Sequence, residues 1–276
     1  MRIAIFSDVH GNTIALDAVL ADIQAQGGVD ECWVLGDLAA LGYDPRGALE
    51  RIFNLPNVKI IHGNADRYVY APDPLPLDEI RANLELLPRF LANRQDFAWT
   101  RGVLAYTDWL DKLAALPLEL RTTLPDGTRV LGVHASPGTD DGVGIHPRLS
   151  AEQLQNLLQG CDADLVFVGH THWAMEATSN HMQVVNLGSV SLPNPPDLRA
   201  KYIILHADAA SHRIERRFVD YDHNAVIAIL EKLRPPAYEM VVRSMRGQQR
   251  VAWSNKLSAA EAKQLGLPAV LVDPSA

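Results

Sequence analysis

The sequence has 276 residues, a formal net charge of −8, 47% hydrophobic residues and 21% charged residues. That length supports one large domain, or one domain carrying an insertion and a tail, and the composition excludes a disordered or low-complexity chain. The acidic balance, with no block of Lys or Arg, disfavours wrapping of a long nucleic acid by phosphate contacts. No apolar run approaches the ~20 residues of a membrane helix, and Met1-Arg2 leads straight into a strand pattern rather than a leader, so a cytoplasmic protein without membrane contact is expected. Cys32 and Cys161 follow no C-x-x-C spacing and read as small core residues.

In chain order, residues 2–7 form a strand pattern, followed by an amphipathic helix carrying Leu16, Val19, Leu20 and Ile23 and closed by Gly27-Gly28. Cys32 to Leu35 is a second strand ending in Gly36-Asp37, followed by a helix from about Arg46 to Phe53. Val58 to Ile61 is a third, ending in His62-Gly63-Asn64. Strand, polar tip and helix in repetition imply parallel strands with their tips on one edge.

Residues 67–117 read as a helical insertion. Leu77, Ile80, Leu84 and Leu87 give one helix ending at Pro88, and Val103, Trp109, Leu110, Leu113 and Leu116 give another. "LELRTTLPDGTRVLGVHASP" reads as a hairpin turning at Asp126-Gly127, its second strand ending in His134. Ser150 and Gln153 make a capping-box pattern, and Leu165 to Val168 leads into Gly169-His170-Thr171-His172. Two more hairpin patterns, "MEATSNHMQVVNLGSV" and "AKYIILHADAASHRIERRFVD", suggest a second, largely antiparallel sheet. After Asp222 the pattern gives one helix, a short strand and a helix capped at Ser258.

The strand tips carry Asp8, His10, Asp37, Asn64, His134, His170 and His172. Imidazole and carboxylate are the ligands that borderline divalent metals accept. Asp8-x-His10 and His170-x-His172 each place two ligands on one side of an extended segment, because side chains alternate with period two. Seven ligands exceed one tetrahedral site and suit two ions sharing a carboxylate. Gly11, Gly36, Gly63 and Gly169 lie beside them, where the backbone must turn or approach closely.

The series Asp8-x-His10-Gly11, Gly36-Asp37 with Gly42, Gly63-Asn64, His134 and Gly169-His170-x-His172 resembles the calcineurin-like metallophosphoesterase superfamily over roughly residues 1–220. "GDLAALGYDPRGALERI", "HGNAD", "VHASPG" and "NLGSV" look most like its small prokaryotic phosphodiesterase branch. The resemblance implies an α/β fold: a metallophosphoesterase-type β-sandwich of two mixed sheets flanked by helices in four layers (αββα), with the helical insertion. Residues 1–222 would form that domain, and 223–276 an extension packed on it. It further implies two divalent metal ions, Mn²⁺ foremost with Fe, Zn or Ni as alternatives. Asp8, His10 and His172 would hold the first, Asn64, His134 and His170 the second, and Asp37 both. His10, Asp37 and Asn64 are the implied catalytic residues, with His10 assisting charge on phosphorus or the leaving group. The implied activity is hydrolysis of phosphodiesters or small phosphorylated metabolites by a metal-bridging hydroxide, with a small phosphorylated substrate as the partner.

The protein-phosphatase signatures Gly-Asp-x-x-Asp-Arg-Gly and Gly-Asn-His-Glu are absent. Ala65 stands where their general-acid histidine would be, and Asp66 follows it as an alternative acid or a hydrogen-bond acceptor. His62 reads as a residue behind a ligand, and His146, His181, His206, His212 and His223 as surface or hairpin residues. Arg67, Arg81, Arg89 and Arg101 suit a substrate phosphate or a solvated helix face, and Trp99, Tyr106 and Trp109 the insertion's core. The competing function is a catalytically idle scaffold of the same fold, disfavoured because every ligand position is intact.

Overall fold

In the computed structural model, which describes residues 1–71, 81, 83, 84 and 87–248, alternation of side chains across each strand divides the apolar residues among three buried layers. The first half contains β1 (Arg2–Phe6), α1 (Thr13–Ala25), β2 (Glu31–Leu35), α2 (Pro45–Phe53), β3 (Val58–Ile61), α3 (Asn64–Tyr70), α4 (Leu87–Leu104) and α5 (Trp109–Ala114). Next come β4 (Glu119–Thr123), β5 (Arg129–Val133), α6 (Ala151–Leu157), β6 (Leu165–Val168), β7 (Met175–Ser179) and β8 (Met182–Asn186). The last are β9 (Ala200–Ala207), β10 (His212–Val219), α7 (His223–Leu233) and α8 (Tyr238–Met245).

One five-stranded sheet has the order β10-β9-β1-β2-β3, and the other β4-β5-β6-β8-β7. Ile3 and Ile5 of β1 and Trp33 and Leu35 of β2 face the second sheet, where Leu165, Phe167 and Val185 meet them. Their neighbours Ala4, Phe6, Cys32 and Val34 face outward onto α1 and α2 through Leu16, Val19, Leu49 and Ile52. On the far side, Val166, Val168 and Val184 pack beneath Leu154 and Leu158. The result is the four-layer αββα sandwich of two mixed sheets.

Local chemistry starts the helices. Asn12 accepts the Ala15 N–H at 3.0 Å, Asp44 accepts the Gly47 N–H at 2.9 Å ahead of Pro45, and Ser150 with Gln153 closes a capping box. The hairpin β4-β5 turns through Leu124 to Thr128 with Gly127 at φ +89°, a longer loop than a two-residue turn.

The last two hairpins do not share a sheet. β7-β8 joins the second, where β8 lies parallel to β6, while β9-β10 lies antiparallel beside β1 in the first. The second sheet is therefore mixed, because β5, β6 and β8 run parallel.

In the insertion, Pro88 opens α4 as its second residue instead of ending a helix, since proline's missing N–H costs nothing in a first turn. Val103 lies in the last turn of α4, and Trp109 to Leu113 belong to the separate α5. Leu77 and Ile80 lie outside the described residues. After Asp222 the described chain forms α7 and α8, which bury Val226, Leu230, Val241 and Met245 against the first sheet's outer layer. No strand follows α7 before Gln248, and the expected helix at Ser258 lies outside the described residues. Among the described residues, no helix is long and apolar enough to cross a membrane.

Candidate metal centre

β1, β2, β3, β5 and β6 all end at one edge of the sandwich, and every residue singled out at the strand tips gathers there. The loops lock together through backbone bonds. The Asp8 N–H donates to the Gly36 carbonyl at 3.1 Å, and the His10 N–H to the Asp37 carbonyl at 2.9 Å. Asp8, His10, Asp37, His170 and His172 hold φ between +47° and +65°, the left-handed region that non-glycine residues occupy at a cost of ~1–3 kcal/mol each. At Gly36, φ +84°, a Cβ would stand 2.5 Å from the Gly63 nitrogen and 2.8 Å from His134 Nδ1. Only glycine lets those loops meet.

Asp8, His10, Asp37 and His172 form a buried group whose ligand atoms lie within 4.8 Å of one another. His172 Nε2 is 3.1 Å and His10 Nε2 3.9 Å from Asp8 Oδ1, and His10 Nε2 is 3.7 Å from Asp37 Oδ2. The other Asp37 oxygen begins a second convergence. Oδ1 lies 3.3 Å from His134 Nε2, and Asn64 Oδ1 lies 3.1 Å from His134 Nε2 and 3.0 Å from His170 Nδ1. Asp37 thus faces both groups.

Four backbone carbonyls set the imidazoles. His10 Nδ1 lies 3.0 Å from the Ala40 carbonyl, His134 Nδ1 2.7 Å from Leu35, His172 Nδ1 2.8 Å from Leu192 and His170 Nε2 2.9 Å from Gly142. A carbonyl only accepts, so each of these nitrogens is the N–H donor, and the remaining nitrogen turns toward the ligand cluster. Burial lowers the His10 pKa to about 4 and also lowers that of His170. His134 goes the other way: burial pulls it down, but the charge and hydrogen bond of Asp37, with the Asp8 charge and the Leu35 carbonyl, together outweigh burial and lift it to about 10. Asp37 is held below the usual carboxylate range against burial, chiefly by His134.

The donor set fits a divalent cation on three counts. Asp8 Oδ1 is buried without a hydrogen-bond partner, since His170 N–H is received by Asp8 Oδ2. His10 Nε2 and His172 Nε2 face each other at 3.2 Å with their other nitrogens committed to carbonyls. Nitrogen and oxygen donors in this mixture suit borderline first-row metals.

Residues near the cluster have settled roles. Asp66 is fully buried and receives the Leu38 and Gly63 N–H groups at 2.9 and 3.0 Å, so it is an acceptor tying two ligand loops together. Burial and the Asp37 charge push its pKa up to about 7. Arg67 is paired with carboxylates: it donates to Asp140 at 2.8 Å and to Asp141 at 3.1 Å. That pairing fastens the loop whose Gly142 carbonyl backs His170. His62 Nδ1 stands 3.2 Å from Asp140 in the same cluster.

Arg101 donates to the Val69 and Tyr70 carbonyls, and Arg89's side chain is outside the described residues. Trp109 is buried edge-on to Phe53, whereas Tyr106 is fully exposed rather than part of the insertion's core. His206 and His212 pair with Glu215 and Asp126, as hairpin residues. His146, read as a surface residue, is half-buried, and burial with the Arg148 charge lowers its pKa to about 4. Sequence reasoning missed Leu41 and Phe97, which line the cavity beside Asp37, Asn64, Ala65 and His170. Phe97 carried no signal there because its spacing matches a helix core.

Residues 1–210 match the family described as the calcineurin-like phosphoesterase superfamily domain. An uncharacterized protein of Methanocaldococcus jannaschii is 27% identical over 251 residues, covering 86% of this chain and 94% of its own. Two solved structures are similar throughout. A metallophosphoesterase from Sphaerobacter thermophilus has a TM-score of 0.70 at 27% identity, covering 90% of this chain and 100% of its own. A hypothetical protein from Pyrococcus horikoshii has a TM-score of 0.74 at 22% identity, covering 91% and 99%, a likeness of fold.

Proposed function

Because the chain belongs to the calcineurin-like phosphoesterase superfamily, we propose that it is a metal-dependent phosphoesterase acting on phosphodiesters or small phosphorylated metabolites. The observation that carries this reading is the set of four imidazoles, each with one nitrogen on a backbone carbonyl and the other turned toward Asp8, Asp37 or Asn64. Asp8, His10 and His172 would hold one divalent ion and Asn64, His134 and His170 a second, with one oxygen of Asp37 for each. Mn²⁺ is the ion we favour, with Fe, Zn or Ni as alternatives of the same ligand preference. When bound, such ions supply Lewis acidity toward phosphoryl oxygens and a nucleophile at neutral pH.

The chain's residues do the remainder. Asp37 fixes the distance between the two groups, its Oδ1 anchored by the Ala65 N–H at 2.9 Å. Asn64, at the first position of α3, presents a neutral oxygen where another carboxylate would overload the site with charge. His10, fully buried and neutral at working pH, gives its Nδ1 N–H to the Ala40 carbonyl and turns the Nε2 lone pair toward the cluster, where it would serve as a ligand of the first ion.

The test is a hydrolysis panel of phosphomonoesters, cyclic phosphodiesters and linear phosphodiesters, with the purified chain loaded in turn with Mn²⁺, Fe²⁺, Zn²⁺ and Ni²⁺. Metal-dependent turnover of at least one class is the expected result. Inertness toward all of them with every metal would overturn the enzyme reading in favour of a scaffold.

A further inference from the structure

The carbonyl behind His10 is itself held from the other end of its peptide. Ala40, whose carbonyl receives the His10 Nδ1 N–H at 3.0 Å, shares that peptide unit with the Leu41 N–H, which donates to Asp96 Oδ1 at 2.8 Å. One peptide plane thus joins the imidazole to a carboxylate. Leu41 sits at φ +67°, an uncommon conformation for a residue with a Cβ, so the peptide takes its orientation from these partners rather than from local preference. Asp96 lies within α4 and is fully buried, and its Oδ2 receives the N–H of Ala237, the residue that caps α8, at 3.2 Å. The C-terminal extension therefore closes the chain of contacts. His172, the other imidazole beside Asp8, has no such backing, because Leu192 is followed by Pro193, which carries no N–H.

A carboxylate at the N–H end of a peptide draws out its dipole and makes the carbonyl oxygen a stronger acceptor, by ~10–30% per hydrogen bond in such a chain. The imidazole feels this next. A stronger pull on the Nδ1 proton raises electron density at Nε2, the nitrogen that faces Asp8 Oδ1 and Asp37 Oδ2, and makes it a better donor to a cation. Burial pushes the Asp96 carboxyl up to about 6 against its two N–H bonds, which leaves it ionised at neutral pH. A buried carboxylate is costly, and among the described residues this one is met by backbone N–H groups and no cation. A cation held by His10 would offset that charge through the peptide. Resting on the metal-dependent reading above, we propose that Asp96 is a positioning residue of the first metal site: through the Ala40–Leu41 peptide it orients the His10 imidazole and strengthens Nε2 as a ligand, with the Ala237 N–H holding the carboxylate in place.

Zn²⁺, which is diamagnetic, allows a test by calorimetric titration and by NMR of the imidazole and amide protons in the full chain and in Asp96→Asn. In the variant we expect the affinity for one ion to fall ~10-fold and that for the other to stay within about twofold. The His10 Nδ1 proton should move upfield already in the metal-free variant while that of His172 stays, a difference that a general loosening of the fold would not produce. A second measurement needs no variant and serves if Asp96→Asn does not fold: in the unmodified chain, Zn²⁺ should move the Leu41 amide proton downfield as its bond to Asp96 tightens. Unchanged affinity for both ions, an equal loss for both, or a Leu41 amide indifferent to bound Zn²⁺ would overturn the role of Asp96 and leave the phosphoesterase reading standing. An unmodified chain that binds neither Zn²⁺ nor Mn²⁺ would overturn both.

Discussion

His10 Nε2 and His172 Nε2 lie 3.2 Å apart, although each ring gives its other N–H to a backbone carbonyl. Two lone pairs at that separation repel, and the partnerless Asp8 Oδ1 adds a buried negative charge beside them. A divalent cation would turn this repulsion into attraction. An ion that binds only the folded chain stabilises it by ~2.7 kcal/mol at a hundredfold excess over Kd. At ~2–4 °C per kcal/mol for a chain of this size, Tm should rise by roughly 5–10 °C with Mn²⁺ and fall back with a chelator. Differential scanning calorimetry checks it. A Tm indifferent to every divalent metal would show that the cluster is a closed structural network.

Asp37 stands between the two ligand groups, one oxygen 3.7 Å from His10 Nε2 and the other 3.3 Å from His134 Nε2. Asp37→Asn keeps the shape and a carbonyl oxygen that can receive the Ala65 N–H, but removes the charge that offsets two cations. We expect hydrolysis to fall by ~10³-fold or more, consistent with a lost electrostatic contribution of ~4 kcal/mol, and metal content to drop to one ion per chain or fewer. Metal analysis beside steady-state kinetics makes the check. Near-normal rate with two ions bound would remove Asp37 from the shared position.

Asp140 gives the pH dependence a handle outside the cluster. Burial pushes its carboxyl up, but hydrogen bonds from His62 and Arg67 outweigh burial and hold its pKa at about 2, below the ordinary 3.8. A depressed carboxylate contributes stability that is fully present above its unfolded pKa and lost as pH falls through the folded one. The contribution, of order 2 kcal/mol at pH 7, should therefore disappear between about pH 4 and pH 2. Asp140→Asn should lose a similar amount at pH 7 and flatten that acid limb in urea denaturation.

The same substitution frees the loop behind His170, whose Nε2 leans on the Gly142 carbonyl. Metal affinity should drop by ~10–100-fold, the usual effect of removing an outer support of a ligand. Unchanged affinity with lowered stability would confine Asp140 to a structural role.

The strand tips were legible because an apolar run that ends in carboxylate or imidazole is anomalous at each of Asp8, Asp37, His134 and His170 taken in turn. The sheet each hairpin joins was not legible. β9 pairs with β1 across some two hundred residues, and nothing in "AKYIILHADAASHRIERRFVD" encodes that partner rather than β7-β8. The carbonyls of Leu35, Ala40, Gly142 and Leu192 were equally invisible, since any residue type presents one, yet they decide which imidazole nitrogen faces the cluster. On charge alone Arg67 suited a substrate phosphate or a solvated helix face. Its pairing with Asp140 and Asp141, more than seventy residues away, had no signal in the sequence.

Ala65 bears on the leaving group. Among the described residues, the side chains around the cavity are those of Asp37, Leu41, Asn64, Ala65, Phe97 and His170. Asp66, the nearest alternative acid in the sequence, spends both oxygens on the N–H groups of Leu38 and Gly63. His170 gives one nitrogen to Gly142 and turns the other to Asn64. None of these side chains is a free proton donor toward a departing oxygen, so an alkoxide would have to leave with little protonation. The rate should therefore fall steeply as leaving-group pKa rises across a series of aryl and alkyl phosphodiesters. Ala65→His places an imidazole at the cavity wall, 2% exposed in the present chain, where it should flatten that slope by raising the rate for poor leaving groups ~10²-fold and leaving good ones nearly unchanged. Overpacking at a buried alanine will cost ~1–3 kcal/mol of stability, which a melting curve separates from the kinetic gain. If the unmodified chain already shows no dependence on leaving-group pKa while chemistry limits the rate, an acid is at work and the inference from Ala65 fails.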